Sequence, residues 1–465
     1  MQACVRYVPP LSWGRHTATI LLIMSLHDSD PKIADLLDQE LIRQQESITL
    51  IPSENHTSSA VLEALSSVIS DKYAEGYPGK RYYAGNQVAD QLENLVRDRA
   101  KALFGVPFVN VQPYSGSPAN LAAYLAVMNP GETFMGLDLA QGGHLTHGYH
   151  LNATGRIWKS APYRVSADGS FDFNEIRDIA MREKPKLIVC GGTAIPRAIP
   201  FAKFAEVADA CGAILMADIS HIAGLVAGKT HESPVPYCHI VTTTTHKTLR
   251  GPRGAMIMVT QKGLDADADL GSKIDKAIIP GSQGGPHLNT IAGIGVALGE
   301  AALPTFSDYA KRVVENAQAL AQALTDAGFS LVSNGTDNHL ILVDLTKTGI
   351  GRGVFFQDGL ERIGLVTNKN TIPDEPSSPF YPSGLRLGSP AATTRGMGPN
   401  EMKQIASWIG QFSAKIKDLQ LPVDKEERTT TLKTFRASLN SDPFYETLRE
   451  EVRGLSRRYP IPASR

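Results

Sequence analysis

The chain has 465 residues and only four cysteines, Cys4, Cys190, Cys211 and Cys238. They are too few and too irregularly spaced for a disulfide framework or a metal-ligand motif. Cys190, Cys211 and Cys238 sit in apolar surroundings, which predicts buried free thiols in a reducing, cytoplasmic compartment. Net charge is almost absent: 46 Lys+Arg against 47 Asp+Glu leaves -1, so there is no electrostatic case for nucleic acid or an anionic membrane as a partner. No apolar run is long enough to span a bilayer, and there is no internal repeat and no low-complexity linker. What is there is ordinary globular composition, 42% hydrophobic and 20% charged, at a length compatible with two or three domains.

The first residues lack acid as well. Arg6 and Arg15 precede Ala18–Met24, and no acidic residue comes before Asp28. This is the composition of a weak transit peptide or of an upstream extension. The second reading is preferred, because the arginines are few and folding signals begin only after Met24. Residues 1–23 are therefore expected to be an extension, disordered or foreign to the natural protein. An N-terminal arm and helix over 24–55, a large domain over 56–300 and a small C-terminal domain over 301–465 are expected to follow.

Asp30-Pro31 has the form of a helix start, and Ile33, Leu36, Leu37 and Leu41 mark one apolar face. Further helices are predicted around Val61–Ile69 and through Leu92–Leu103 to Gly105. Short apolar runs then alternate with helical segments. The candidate strands are Phe108–Val111, Phe134–Leu137, Leu187–Cys190, Ala213–Ala217, His239–Thr243 and Met256–Val259. Ala119–Met128 and Phe201–Ala210 are helical patterns between them. Alternation of this kind predicts an α/β domain with a mostly parallel sheet covered on both faces. A long helix over Phe306–Ala327, strands near Leu331, His339–Leu345, Asn368–Asn370 and Leu385–Leu387, and a helix from Asn400 predict an α+β second domain.

The most telling stretch runs from Val241 through four threonines to His246-Lys247-Thr-Leu-Arg-Gly251-Pro-Arg-Gly254. The β-branched threonines favour a strand, and Gly251-Pro252 breaks any regular element, so Lys247 is expected at or just past a strand end. A lysine taken at random is a solvated surface group. One at a strand end, partly desolvated, can lose its proton and attack a carbonyl to form a Schiff base. Ser115-Gly116-Ser117-Pro118 opens the helix after the first candidate strand, with Ser117 suited as its N-cap. The exposed backbone N–H groups and hydroxyls suit a phosphate. The apolar strand Ala213–Ala217 runs into Asp218, a carboxylate that needs a partner; a protonated pyridine nitrogen would serve, as would an ordinary cap or salt bridge. His144, among glycines beyond the Phe134–Leu137 strand, suits stacking on a flat ring, although a lone loop histidine is more often structural. Together these groups describe one ligand, pyridoxal phosphate.

Several longer motifs carry a resemblance. They are Tyr73-Ala-Glu-Gly-Tyr-Pro-Gly-Lys-Arg-Tyr-Tyr83, Gly142-Gly-His-Leu-Thr-His-Gly148, Thr242-Thr-Thr-Thr-His-Lys-Thr248, Gln283-Gly-Gly-Pro286, Gly335-Thr-Asp-Asn-His339 and Ser383-Gly-Leu-Arg-Leu-Gly388. From about Ser29 to Pro462 the chain closely resembles serine hydroxymethyltransferase. The resemblance implies the type I fold of pyridoxal-phosphate enzymes, with a mostly parallel seven-stranded large-domain sheet and a smaller α+β domain. It also implies a homodimer or dimer of dimers with composite active sites. The reaction implied is reversible transfer of the L-serine hydroxymethyl carbon to tetrahydrofolate, giving glycine and 5,10-methylenetetrahydrofolate.

By the same resemblance Lys247 would anchor the cofactor, Asp218 would hold its pyridinium nitrogen, His144 would stack on the ring and His221 would lie near its hydroxyl. Ser115, Gly116, Ser117 and His246 would hold the phosphate, completed from a partner subunit by Gly285 and Tyr73. Thr244 would face ring and substrate. Arg386, aided by Ser53, would clamp the amino-acid carboxylate. Glu75 would be the acid–base group beside the substrate hydroxyl, with Tyr82 and Tyr83 lining that mouth. Leu139, Gly143, Leu145 and Asn370 would contact the pterin. Departures from the family pattern are Tyr114 (more often histidine), Pro118 (glutamine), Gln141 (histidine), Ser220 (alanine) and the stretch Thr193–Arg197. An alternative is a folate-independent aldolase on β-hydroxy amino acids, against which Glu75 and the paired tyrosines argue. A non-catalytic protein that kept the fold ranks last.

Overall fold

The computed structural model describes residues 25–462; the predicted extension 1–23 and Cys4 lie outside the described residues. The chain divides between Gln44 and Gln45 into two compact units. In the first, Ser25 and Asp28 cap a short helix, Leu26–Ser29, reciprocally. Asp30 then accepts the Ile33 N–H at 3.1 Å, the predicted start of the helix from Pro31. The apolar face forms as expected, but Ile33, Leu36, Leu37 and Leu41 are all exposed in the single chain.

The second unit is organised by a seven-stranded sheet. Its strands are β1 (Phe108–Asn110), β2 (Thr133–Met135), β3 (Lys159–Ser160), β4 (Leu187–Cys190), β5 (Ile214–Asp218), β6 (Ile240–Thr244) and β7 (Ala255–Val259), in the order β1-β7-β6-β5-β4-β2-β3. Only β7 runs antiparallel to its neighbours. Six of the seven strands match sequence expectations to within about two residues at each end. The seventh, β3, is two residues long and has no apolar pattern to reveal it. β4 and the centre of β5 are fully buried, as a parallel strand covered on both faces requires.

The threonine run is fully buried as well, and its hydroxyls are satisfied individually. Thr242 Oγ1 donates to Asn120 Oδ1 at 2.7 Å, Thr243 Oγ1 to the Thr244 carbonyl at 2.8 Å, and Thr245 Oγ1 to the Pro252 carbonyl at 2.7 Å. β-Branched shape and polar satisfaction together make this a strand that can sit in a core.

A second, antiparallel sheet orders β8 (Ser330–Leu331), β9 (Leu340–Asp344), β10 (Asn368–Asn370) and β11 (Gly384–Gly388) as β8-β9-β11-β10. Its apolar core includes Ile48 and Leu50, because Ile48–Thr49 pairs in parallel with Leu365–Val366. One helix, Pro304–Asp326, serves both cores: Phe306, Tyr309, Ala310 and Val313 pack with the large sheet, and Leu320, Ala321 and Leu324 with the small one.

Three local readings are corrected. The helix Gly116–Val127 takes Ser115, not Ser117, as N-cap, so Pro118 falls inside the first turn and Ser117 is exposed. The apolar stretch near Val61 breaks at Ser66-Ser67 into a helix, Ser59–Leu65, and a separate 3-10 turn that leaves Val68 exposed. Cys190 and Cys238 are buried free thiols, whereas Cys211 at a helix end is only half-buried. Among the described residues no single helix is long and apolar enough to cross a membrane.

Leu215 on central β5 is fully buried, and Leu215→Ala leaves a cavity where neither neighbouring strand can collapse. It is expected to cost about 2–5 kcal/mol, read as a lower denaturant midpoint. A variant as stable as the parent would contradict this packing.

Candidate active site

The carboxyl ends of the parallel strands converge on a cavity of about 450 Å³, the usual site for ligands in open α/β sheets. β5 and β6 lie side by side with Asp218 opposite Thr242. Past the end of β6 the chain turns through His246 to Lys247, and Arg250 at φ +62° closes the loop before Pro252. From the end of β4 come Gly192 and Thr193; from beyond β2 come Leu139, Gly143, His144 and Leu145. Ser53, Asn370 and Arg386 complete the wall.

The predicted residues Ser53, Gly116, Leu139, Gly143, His144, Leu145, Asp218, His221, Thr244, His246, Lys247, Asn370 and Arg386 all line this one cavity. Ser115 and Ser117 flank Gly116 at the helix N-terminus but are not among the lining residues. A side chain at Gly116 would meet Thr244 Cγ2 at 2.7 Å, so only glycine leaves that cradle open.

The electrostatics are those of a reactive amine facing a fixed anion. Burial lowers the Lys247 pKa to about 8, with Arg253 and Arg386 adding to the effect and Asp218 opposing it. Its Nζ donates to Thr244 Oγ1 at 3.0 Å. For Asp218 burial alone would raise the pKa, but the hydrogen bond and charge of His147, with the nearby His144 ring and the Ser220 bond, outweigh it. The carboxyl is held well below the usual range. Asn120 Nδ2 donates to Asp218 Oδ2 at 2.8 Å, His147 Nε2 lies 3.4 Å from the same oxygen, and the Ser220 N–H donates to Oδ1 at 3.0 Å.

Burial also keeps His144 neutral, its pKa lowered to about 4, while Thr146 Oγ1 holds its Nδ1 at 2.7 Å. His221 is buried against His339, Nδ1 to Nε2 at 3.2 Å, and burial lowers the pKa of both rings. Arg386 is oriented by Nε donating to Asn368 Oδ1 at 3.1 Å and Nη1 to the Thr193 carbonyl at 2.6 Å.

Sequence reasoning missed Glu54, His147, Gly192, Thr193, Ser220 and Arg253 as lining residues, and Asn120 as the support of Asp218. The His144-x-x-His147 spacing was the available signal for His147: the 3-10 turn Leu145–His147 sets both rings on one side, 5.8 Å apart. Ser220, noted only as a departure, accepts the Thr244 N–H at 3.0 Å. Nothing in the sequence marks Asn120.

A second group forms apart from the cavity lining. Glu75, Tyr73, Tyr82, Tyr83 and Gly285 are absent from the Lys247 wall and gather with Tyr114 and Gly284. A Cβ at Gly285 would touch the Tyr73 ring at 3.4 Å, and one at Gly284 would meet Glu75 Oε1 at 3.2 Å. The charge of Glu75 and its hydrogen bond raise the Tyr73 pKa, and the Tyr73 and Tyr83 rings meet edge to face at 4.9 Å. Tyr82 is exposed. Tyr114, another departure, stacks on His287 at 4.2 Å and donates its hydroxyl to the Gly285 carbonyl at 2.7 Å.

A mostly parallel sheet whose strand ends bring a lysine of lowered pKa and a buried aspartate to one cavity has the form of an α/β enzyme with its active site at the carboxyl ends of its strands. A sequence model of the family described as "Serine hydroxymethyltransferase" matches residues 26–409. The chain is 56% identical over 395 residues, 85% of its length and 91% of the relative's, to a serine hydroxymethyltransferase of Acidothermus cellulolyticus. It is 48% identical over 440 residues to that of Phenylobacterium zucineum (94% and 96% covered) and 48% over 436 residues to that of Acidobacterium capsulatum (93% and 99%). The chain belongs to the serine hydroxymethyltransferase family and is an enzyme with that family's transferase activity. The two sheets described above agree with the type I fold expected of it.

Only the neutral amine is nucleophilic, so reductive methylation of Lys247 by formaldehyde should rise with pH through a midpoint near 8. Ordinary surface lysines titrate near ~10.4. Peptide mapping across the pH series reads this directly, and a Lys247 that labels in step with the surface lysines would refute the desolvated site.

Proposed function

We propose that this chain uses pyridoxal phosphate to move the hydroxymethyl carbon of L-serine to tetrahydrofolate, leaving glycine, and runs the reverse reaction as well. The observation that carries the reading is the pairing of Lys247 with Asp218 across one cavity. When bound, the cofactor supplies an aldehyde for an amine and a ring that accepts the electron pair released at the substrate α-carbon.

The residues present fit such a group. The Ser115-Gly116-Ser117 helix start makes no side-chain cap of its own. His246 Nδ1 is buried without a partner, and Arg253 lines the same cavity. These are donors for a phosphate. Asp218 stays ionised under all working conditions and would hold a proton at the ring nitrogen. Neutral His144 offers a flat face, and His221 a buried imidazole at the ring edge.

Lys247, its pKa lowered to about 8 so that far more of it is neutral at neutral pH than of a surface lysine, would receive the aldehyde and be displaced by the incoming amino group. Thr244 Oγ1 orients its Nζ. Arg386, its guanidinium pre-oriented, would take the substrate carboxylate with Ser53, which favours α-amino acids over plain aldehydes. Glu75 would move the proton on the serine hydroxyl as the carbon–carbon bond breaks. Leu139, Gly143, Leu145 and Asn370 would seat the pterin beside it. The buried free thiols Cys190 and Cys238 support a cytoplasmic setting.

We further propose that the working enzyme is a homodimer, or a dimer of dimers, in which Glu75, Tyr73, Tyr82, Tyr83 and Gly285 of one copy complete the Lys247 cavity of another. Their separation from that cavity and the exposure of Tyr73 and Tyr82 support this. The expected large domain 56–300 and small domain 301–465 would form the two walls of each site.

Three measurements test these proposals. Borohydride reduction after loading with pyridoxal phosphate should label Lys247, and serine cleavage should depend on tetrahydrofolate. Label on another lysine overturns the cofactor assignment, and cleavage indifferent to folate turns the reading to the aldolase. Mixing inactive Glu75→Gln and Lys247→Ala proteins after reversible dissociation should restore up to about a quarter of parental activity, because half the random pairs carry one intact composite site. No recovery from stable mixed dimers would mean that each site is built within one chain.

A further inference from the structure

The loop that bears Glu75 is held by buried charges to which none of the roles above gives a task. Glu93 lies on the helix Gln87–Phe104 and is 1% exposed. A carboxylate there needs partners, and it has two. Its Oε2 accepts Arg81 Nη2 at 2.8 Å, and Gln112 Nε2 donates to Oε1 and Oε2 at 3.0 and 3.1 Å.

The same two side chains grip the backbone on either side of Glu75. Arg81 Nη1 donates to the Ala74 carbonyl at 2.8 Å and to the Gly76 carbonyl at 2.9 Å, and Gln112 Nε2 reaches the Gly76 carbonyl at 3.0 Å. The carbonyl of Glu75 itself accepts the Tyr82 N–H at 3.0 Å, so three successive carbonyls are held. A tight turn at Pro78-Gly79, with Gly79 at φ +74°, folds the chain back so that Arg81 pairs opposite Gly76 and can reach these carbonyls. Asp90 steadies the far side of the guanidinium, accepting Arg81 Nε at 2.8 Å and the Gly79 N–H at 2.9 Å.

The network continues from Gln112 to the glycine segment that Glu75 packs against. Gln283 Nε2 donates to the Gln112 carbonyl at 2.9 Å, and Gln283 Oε1 accepts the Tyr114 N–H at 3.1 Å. Apolar side chains of similar volume would fill the Glu93 space without the desolvation penalty of a buried ion pair. What they would not do is orient Arg81 and Gln112.

We propose that Glu93 is a positioning residue for Glu75, acting through Arg81 and Gln112 to set the direction in which the Glu75 carboxyl meets the substrate hydroxyl. This rests on the acid–base reading of Glu75 given above. The test uses full-length, cofactor-loaded protein and two reactions. Tetrahydrofolate-dependent serine cleavage needs a proton moved at the hydroxyl. Exchange of the glycine α-proton with deuterated solvent, followed by NMR, involves no hydroxyl.

Glu93→Gln is expected to lower kcat for serine cleavage by about tenfold or more, the effect of misaligning one charge-assisted contact. Serine KM and glycine exchange should stay within about twofold of the parent. Glu75→Gln, run beside it, should show the same selectivity more strongly. Equal loss of both reactions in Glu93→Gln, or loss of neither, overturns the proposal. If instead Glu75→Gln spares serine cleavage, the Glu75 reading itself fails and the inference falls with it. Should Glu93→Gln not fold, Gln112→Met, which removes the grip on Gly76 but leaves the ion pair, is held to the same two outcomes.

Discussion

The ionised carboxylate of Asp218 and the amine of Lys247 share one cavity, and much of the surrounding structure serves to keep that arrangement stable. A carboxylate at the end of a buried strand would protonate if left alone. Asn120, the Ser220 N–H and the His144–His147 pair supply what water would have supplied. Those supports come from three separate elements: the helix Gly116–Val127, the turn after β5 and the 3-10 turn beyond β2. The amine is treated in the opposite way. Burial and two nearby guanidinium groups weaken its hold on a proton, while Asp218 keeps that loss moderate. Opposite treatment of two ionisable groups a short distance apart is a common signature of acid–base and nucleophilic sites.

The glycines and threonines around the site follow from this need. Thr242, Thr243 and Thr245 bury polar strand residues at no hydrogen-bonding loss, so β6 can run through the core to the lysine. Gly116 keeps open the space next to Thr244. Arg386, from the small sheet, is tied to Thr193 beyond β4 of the large one. The cavity wall therefore exists only when both cores are formed, and the helix Pro304–Asp326, which packs into both, joins them.

Much of this was legible in the sequence, and the misses have physical reasons. The six large-sheet strands of three or more residues announced themselves by their apolar or β-branched runs, whereas the two-residue β3 did not. The cap of Gly116–Val127 was misread by two residues because Ser-Gly-Ser-Pro offers two serines as candidates, and Pro118 is tolerated inside the first turn where no N–H is needed. The face of Ile33, Leu36, Leu37 and Leu41 was correctly seen as apolar, but periodicity says nothing about what covers it. Asn120, Arg81 and Glu93 left no mark, because a buried polar network is recognised by its partners, and these lie 9 to 122 residues apart in sequence.

The sequence by itself determined the alternating α/β order, the strand that ends in the lysine, and the kinds of chemical group on offer. Those properties are local: they depend on side-chain shape, periodicity and neighbours a few residues away. Only the tertiary structure decided which groups share a space. Parallel register set Asp218 beside Thr242 and so within reach of Lys247, burial set the protonation of the lysine and hydrogen-bonding partners that of the aspartate, and the fold sorted Glu75 and its tyrosines into a second cluster outside that cavity. Distance and desolvation are properties of the packed chain, and no order of residues carries them until the sheets have formed.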